Sequence, residues 1–158
     1  MAYTMKTVLT FAILTFLATV SYADESAKLI TIKGLNLRSS PQQITDILGR
    51  CQSNDLIPNV FICEGSTGNT GSYVTNADGR IAIINIHCQI INGCEYSEDD
   101  LAYSLSEQLD LSNPRFEIPN RFVMDGSAGD ELGVLTSPLG LTVSISEGTY
   151  YNPPLSLD

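Results

Sequence analysis

The first 23 residues have the pattern of an export signal, and this pattern sets the conditions under which the remainder of the chain folds. Lys6 is the only charged residue of the segment, and a largely apolar run over residues 8–20 follows it. Residues 21–23 then place small side chains at the two positions that a signal peptidase reads. The apolar run is short for a membrane span, so a retained membrane anchor is the less favoured alternative. We predict a cleaved signal peptide over residues 1–23, and one domain over residues 24–158 that is periplasmic or secreted.

All four cysteines lie in the predicted exported domain, at positions 51, 63, 88 and 94. An even number of cysteines in an exported chain predicts two disulfides. Three pairings are open, and we favour the bonds between neighbours, Cys51–Cys63 and Cys88–Cys94. Each of these bonds closes a short loop and would stabilise the fold by about 2–3 kcal/mol. A metal site is not predicted, because the cysteine spacings are not those of a zinc knuckle and His87 is the only histidine.

The charge of the predicted exported domain limits its partners. Removing the leader takes away Lys6, which leaves seven basic residues against 18 acidic ones. Nucleic acids are excluded as partners, because phosphate binding needs clustered Lys and Arg. Anionic lipid surfaces are disfavoured for the same reason, so stable membrane insertion after signal cleavage is not expected. A basic protein would be attracted by the field of this chain, although the charge also serves simply to keep an exported protein soluble.

Two segments carry the pattern of short, capped amphipathic helices. The first begins after Ser40, with Pro41 at its first position and Gln43 completing a capping box, and ends near Gly49. The second begins after Ser97 and places three carboxylates in its first turn, where they complement the helix dipole. Apolar residues at helical spacing give each helix one buried stripe: Ile44, Ile47, Leu48 and Cys51 in the first, and Leu101, Ala102, Leu105 and Leu109 in the second.

Most of the remaining segments have the alternation or the turn residues of β-structure. The strongest strand candidate is the second arm of a hairpin around residues 76–79, with Ile84 and Ile86 on an apolar face and His87 on the more polar face. Residues 65–72, rich in Gly, Ser, Thr and Asn, predict a mobile loop. The predicted strands are 28–33, 59–64, 73–75, 80–91, 115–118, 121–124, 132–135 and 139–145, with irregular segments at 52–58 and 150–155.

These elements predict an α+β domain, in which an antiparallel sheet carries two short helices on one face and is stapled by two disulfides. Both helix openings read Ser-x-x-polar-apolar with a Leu four residues later, starting at Ser40 and at Ser97. This similarity predicts a degenerate tandem repeat with a period of 57 residues. The alternative is that any two capped amphipathic helices share the pattern.

The sequence contains no constellation that is typical of a catalytic site. A Ser–His–acid triad would have to use His87, and no Gly-x-Ser-x-Gly elbow is present. A chain with 18 acidic residues offers suggestive carboxylate pairs by chance. We therefore predict no catalytic residue, no metal ligand and no cofactor. The carboxylates that a hydrolase would draw on are Glu64, Asp78, Asp130 and Glu131.

Residues 32–49 resemble a strand–helix module of small bacterial envelope proteins. In that module a strand ends in Gly, a short link reaches a Ser or Thr cap, and the helix reads apolar-x-x-apolar-Leu-Gly. The matching positions are Gly34, Leu37, Ser40, Ile44, Ile47, Leu48 and Gly49. The segment is similar to the outer-membrane assembly lipoproteins of the BamE family and to the tandem-repeat β-lactamase inhibitor proteins, with Arg38-Ser39 standing where the module has Gly-Met. The resemblance implies a helical pair against a small antiparallel sheet, a disulfide near the end of this helix in the inhibitor case, and a function in binding other proteins.

These observations together predict a non-catalytic protein-binding module, of the inhibitor or immunity type. The alternatives are a small carboxylate-dependent hydrolase and a structural envelope protein. The predicted contact residues lie in the Gly-rich loop and in the tail, where Tyr side chains favour an interface. They are Ser66, Asn69, Tyr73, Tyr150 and Tyr151.

Overall fold

The computed structural model describes residues 27–117, 120–137 and 140–148. The predicted signal peptide and the two predicted contact residues Tyr150 and Tyr151 lie outside the described residues. Within the described part, no helix has the length and apolarity that a membrane crossing requires.

The described residues form a strand-dominated α+β domain around one eight-stranded antiparallel sheet. Its elements in chain order are α1 (Pro41–Leu48), β1 (Arg50–Ser53), β2 (Val60–Gly65), β3 (Gly68–Thr75), β4 (Ile81–His87), α2 (Glu98–Leu109), β5 (Arg115–Glu117), β6 (Arg121–Asp125), β7 (Asp130–Ser137) and β8 (Gly140–Glu147). A 3-10 turn over Cys88–Ile91 follows β4. The strands lie side by side in the order β1-β2-β3-β4-β8-β7-β6-β5. The sheet therefore has two edge strands, β1 and β5.

The chain runs through the same sequence of elements twice. A helix followed by four antiparallel strands builds each half, and the β4–β8 ladder joins the halves in the middle of the sheet. The strand order of the second half is the reverse of the first, which places corresponding strands at corresponding distances from the centre. This element order is what the tandem repeat predicted from the two helix openings requires.

Both helices begin as their sequences predict, because each opening supplies side chains that satisfy free backbone N–H groups. The Ser40 side chain accepts a hydrogen bond from the Gln43 N–H, and the Gln43 side chain accepts one from the Ser40 N–H, at 3.2 and 2.8 Å. The Ser97 side chain accepts a hydrogen bond from the Asp100 N–H in the same way. Such caps stabilise a helix by about 1 kcal/mol each.

The core lies between the helices and one face of the sheet. Buried side chains of α1 and α2 form a single cluster with the apolar residues of that face. The prediction for the best strand is confirmed, since Ile84 and Ile86 are fully buried in this cluster. Ile81, 4% exposed, belongs to the same cluster, because a register shift in the β3–β4 ladder interrupts the alternation of the strand. Ile83 lies outside this cluster and is nevertheless only 5% exposed.

Both favoured disulfides are present, Cys51–Cys63 and Cys88–Cys94, and the described residues include no free cysteine. Cys51 and Cys63 are directly opposite each other in the β1–β2 ladder, so the first bond ties an edge strand to its neighbour. The second bond closes the 3-10 turn after β4. These two bonds fit a chain that matures outside the reducing cytoplasm.

Three of the predicted segments are wrong. Residues 28–33 do not form a strand, because Lys33 and Gly34 both have positive φ and turn the chain back, which leaves a single bridge between Ile32 and Leu35. Cys51, predicted on the buried stripe of the first helix, and residues 52–53, predicted as irregular, lie instead in the mostly polar edge strand β1, and Ile47 of the same stripe is 41% exposed. The predicted mobile loop 65–72 is instead a tight turn that leads into β3.

The predicted strand 80–91 ends early, at His87. Residues 88–91 wind into the 3-10 turn, and Asn92 then adopts a left-handed conformation. The alternation of apolar residues continues through this region, so the pattern alone does not reveal where the strand stops.

Candidate functional site

The most exposed large apolar side chain among the described residues, Leu56, lies at the hairpin tip, which we define as residues 54–59 between β1 and β2. Leu56 is 90% exposed and Ile57 is 54% exposed. A Leu that is buried in a core gains about 1.5–3 kcal/mol over an exposed one, and Leu56 contributes none of this to the fold. The Leu56 side chain therefore adds nothing to the stability of the fold and is open to contact with another molecule.

The hairpin tip is held in one conformation by backbone and side-chain hydrogen bonds. The Asn54 side-chain oxygen accepts from the backbone N–H groups of Leu56 and Ile57, at 2.8 and 3.1 Å. The Asn54 N–H donates to the Val60 carbonyl at 2.8 Å, and Asn59 accepts from the Thr75 N–H of β3 at 2.9 Å. An Asn that bonds the backbone two and three residues ahead fixes a turn locally. The two apolar side chains thus project from a pre-formed loop.

The base of the hairpin is reinforced by covalent and aromatic contacts. The Cys51–Cys63 bond crosses from β1 to β2 below the tip. The Phe61 and Tyr73 rings stack on the core side of β2 and β3, with centroids 4.6 Å apart and planes 6° from parallel. The disulfide resists fraying of β1, a short edge strand of mostly exposed residues, and the stacked rings hold β2 against β3.

The predicted contact residues of the Gly-rich segment do not share one surface. Ser66 is exposed in the β2–β3 turn, whereas Asn69 is half-buried and accepts hydrogen bonds at both its side chain and its carbonyl. Its side-chain oxygen accepts from the Gly71 N–H at 3.0 Å, and its carbonyl accepts from the Gln89 side chain at 3.1 Å. Tyr73 is 4% exposed, and burial raises the pKa of its phenol. We therefore drop Tyr73 from the contact surface, because it offers a partner almost no area.

A cavity of about 570 Å³ lies near the start of α1, between the N-terminal segment and two hairpin turns. Asp130 and Glu147 both line it and are directly opposite each other across β7 and β8. Asp130 is 3% exposed, and its Oδ2 accepts from the Ile30 N–H at 2.6 Å. Arg38 and Arg80 also line the cavity, so it presents both signs of charge.

A second charged group lies at the β5 edge, where one guanidinium contacts three carboxylates. Arg115 lies 2.9 Å from Glu117, 2.5 Å from Asp125 and 3.6 Å from Glu131, and Arg121 lies 3.2 Å from Glu117. The hydrogen bonds that Arg115 donates to the Asp125 carboxylate raise the pKa of Arg115. Burial raises the pKa of Glu131 despite the nearby positive charges of Arg121 and Arg115. The group is an ion network that ties β5 to β6 and β7.

The four carboxylates named as hydrolase candidates do not converge. Glu64 lies at the end of β2, and Asp78 lies exposed in the β3–β4 turn, 3.8 Å from Arg80. Asp130 and Glu131 are neighbours on β7, so their side chains point to opposite faces of the sheet. Only Asp130 lines the cavity.

One cluster was missed by the sequence patterns. His87, Cys88 and Cys94 place one ring nitrogen and two sulfurs within 4.8 Å of one another. The alternation of a strand puts His87 and Cys88 on opposite faces, but β4 ends at His87 and the turn that begins at Cys88 brings the two side chains together. The sequence signal that could have indicated this cluster is that His87 and Cys88 are adjacent in the chain.

Comparison with known protein families, with curated proteins and with solved structures finds no match for this chain.

Proposed function

We propose that this protein is an exported, non-catalytic protein-binding module that inserts its hairpin tip into an apolar pocket of a partner protein. The observation that carries the proposal is Leu56, which is 90% exposed on a loop held by Asn54. Interfaces draw most of their binding energy from a few apolar or aromatic anchors that fill pockets.

The fixed conformation of the tip supports this use. Binding costs conformational entropy when a loop must be ordered, by about 0.5–1.5 kcal/mol for each immobilised side chain. The bonds from Asn54 and the Cys51–Cys63 disulfide below the tip order the backbone before any partner arrives. An inhibitor or immunity protein benefits from this arrangement, because it must bind tightly through a small surface.

The charge of the chain indicates the chemistry of the partner. Asp55 is exposed in the tip itself, and the predicted exported domain has 18 acidic residues against seven basic ones. A partner with an apolar pocket and a basic rim complements this surface. Charge complementarity of this kind raises the association rate and weakens with added salt.

The proposal is tested by capture from periplasmic extract with three forms of the full-length protein. They are the wild type, Leu56→Asp, and the control Tyr103→Asp, which changes an α2 residue that is 55% exposed. We expect the wild type and the control to retain the same basic protein, and we expect Leu56→Asp to retain at least tenfold less of it, by the loss of about 1.4 kcal/mol or more. Raising the salt concentration should weaken the capture.

Two results would contradict the proposal. Equal capture by all three forms would place the interface away from the hairpin tip. Recovery of no saturable partner by the folded wild type would favour the structural envelope alternative. Circular dichroism and a thiol count establish that each variant is folded and fully oxidised.

A carboxylate-dependent hydrolase is the second candidate, and the cavity is the observation that favours it. Asp130 and Glu147 line the same cavity from adjacent strands, and paired carboxylates of this kind perform acid–base hydrolysis. Asp130→Asn and Glu147→Gln would each abolish hydrolysis of a chromogenic glycoside and ester panel. Absence of wild-type turnover on that panel, or turnover that both variants retain, would count against this candidate.

A further inference from the structure

We propose that the Cys88–Cys94 disulfide masks a zinc site, and that its reduction allows His87, Cys88 and Cys94 to bind one Zn²⁺ as a three-ligand set. Two thiolates and one imidazole are ligands that zinc prefers, and the fourth position is left to water. The inference is independent of the proposed binding of a partner protein.

The geometry of the three ligand atoms is close to what zinc requires. The Nδ1 atom of His87 lies 3.9 Å from the Cys88 sulfur, and all three ligand atoms lie within 4.8 Å of one another. Tetrahedral bonds of about 2.0–2.3 Å place a nitrogen and a sulfur about 3.6 Å apart and two sulfurs about 3.8 Å apart. The nitrogen is therefore near its position already, and the sulfurs need only separate from their bonded distance.

The backbone around the site is held by contacts other than the disulfide. The Gly93 N–H donates to the Cys88 carbonyl at 2.9 Å, and the Tyr96 N–H donates to the Gly93 carbonyl at 3.3 Å. Cys88 is 2% exposed within the core cluster, and His87 is the last residue of the β4–β8 ladder. The Cα atoms of the two cysteines are 4.9 Å apart. Opening the bond thus leaves both sulfurs close together.

The redox step is an ordinary thiol–disulfide exchange with a dithiol reductant. One reductant thiolate attacks the exposed Cys94 sulfur, and the Cys88 sulfur leaves. The second thiol of the reductant then closes its own disulfide and releases Cys94, so that two electrons and two protons pass to the protein. Zinc binding displaces the thiol protons of Cys88 and Cys94, because only the thiolate is a ligand.

The other disulfide provides an internal control. Reduction of Cys51–Cys63 also frees two thiols, but His87 is the only histidine of the chain and it lies beside the other pair. A site that merely needs two cysteines would form at either pair. A site that needs the imidazole forms only at Cys88–Cys94.

Zinc binding to the full-length protein tests the proposal, with a chelating dye and native mass spectrometry as readouts. The reductant is a phosphine, which brings no competing thiol. We expect no bound zinc in the oxidised protein and one zinc per chain after reduction. The Cys51→Ala/Cys63→Ala variant should retain this zinc, whereas the Cys88→Ala/Cys94→Ala variant should bind none after reduction. His87→Gln should weaken binding by about tenfold or more.

Three outcomes would overturn the proposal. The first is the absence of zinc from the reduced wild type that circular dichroism shows to be folded. The second is equal zinc binding by reduced Cys88→Ala/Cys94→Ala. The third is an unchanged affinity in His87→Gln. If Cys51→Ala/Cys63→Ala fails to fold, the comparison of wild type, Cys88→Ala/Cys94→Ala and His87→Gln decides the question.

Discussion

The two edge strands of the sheet, β1 and β5, occupy corresponding places in the two halves but are held by different chemistry. A disulfide joins β1 to β2 through Cys51 and Cys63. At the other edge, an ion network around Arg115 joins β5 to its neighbours, assisted by an edge-to-face contact between Phe116 and Phe122, whose centroids are 5.3 Å apart. Short edge strands are prone to fray, and the two halves hold theirs with different kinds of contact.

The two kinds of edge support respond differently to salt. A covalent bond acts at any salt concentration, and it leaves the β1–β2 connection free to extend into the exposed hairpin tip. An ion network needs its charged side chains near one another, and its strength falls with added salt. The edge that carries the proposed binding surface is thus the one whose support does not depend on the salt concentration.

The largest expected effect comes from a pair of glycines in the corresponding strands β3 and β7. A Cβ at Gly71 would lie 2.2 Å from the Asn85 carbonyl oxygen and 3.0 Å from Leu48 Cδ1, whereas one at Gly133 would lie 3.7 Å from its nearest neighbour, the Ser144 Cβ. We expect Gly71→Ala to lower the free energy of unfolding by about 3 kcal/mol. We expect Gly133→Ala to change it by less than about 1 kcal/mol. Urea denaturation measures both, and equal losses would mean that the two halves are packed alike at this position.

Removal of the covalent edge support should have the next largest effect. We expect Cys51→Ala/Cys63→Ala to lose about 2–3 kcal/mol of stability, because the unfolded chain is no longer constrained. The loss should be the same in low and high salt. Guanidinium is unsuitable for this measurement because it is itself a salt, so urea unfolding at two NaCl concentrations is the test. A loss that depends on salt would break the contrast between the edges.

Removal of the ionic edge support should have a smaller effect. Arg115 is partly exposed, so we expect Arg115→Met to cost about 1 kcal/mol at low salt. The cost should shrink as NaCl screens the charges in the wild type. Lys33→Met, which removes an exposed charge in a turn outside this network, is the matched control and should be neutral. A cost for Arg115→Met that salt leaves unchanged would indicate packing of its aliphatic chain.

The smallest effect concerns the buried carboxyl of the network. Burial raises the folded-state pKa of Glu131 above its ordinary value of 4.5, so the folded protein binds this proton more tightly than the unfolded chain does. The wild type therefore loses stability as pH rises from that value through the raised pKa. Above this pH range, we expect the free energy of unfolding of Glu131→Gln to exceed that of the wild type by less than about 1 kcal/mol. Below this pH range, we expect the two proteins to be equally stable. Urea unfolding from pH 4 to pH 7 measures the difference, and a less stable Gln variant at pH 7 would show that the Arg115 contact outweighs the burial.

Features that depend on local sequence were predictable. Both helix starts follow from Ser40 and Ser97 with their neighbouring residues, and of the three open cysteine pairings the favoured one, between neighbours, is present. The hairpin around residues 76–79 follows from its turn residues, and the Asn76 side chain does bond the backbone there. These signals act within a few residues, so no knowledge of the tertiary structure is needed to read them.

Features set by distant contacts were not predictable. Gly71 belongs to a Gly-rich segment that is typical of a loop, but it lies in β3. The residue there is a glycine because a side chain would clash with the Asn85 carbonyl and the Leu48 side chain. Strand β1 is short and polar, so its own residues carry no strand pattern. It is a strand because it pairs with β2. The exposure of Leu56 contradicts the general preference of Leu for the interior, so no sequence pattern announces it.

The β4–β8 ladder has a consequence for synthesis. During synthesis the first half of the chain emerges before β8 does, and in that interval β4 offers a bare, isoleucine-rich hydrogen-bonding edge. A second copy in the same state presents an identical edge, and antiparallel pairing of the two is geometrically open. Between the synthesis of β4 and that of β8, the central ladder of the sheet is therefore an open edge on which two chains can pair.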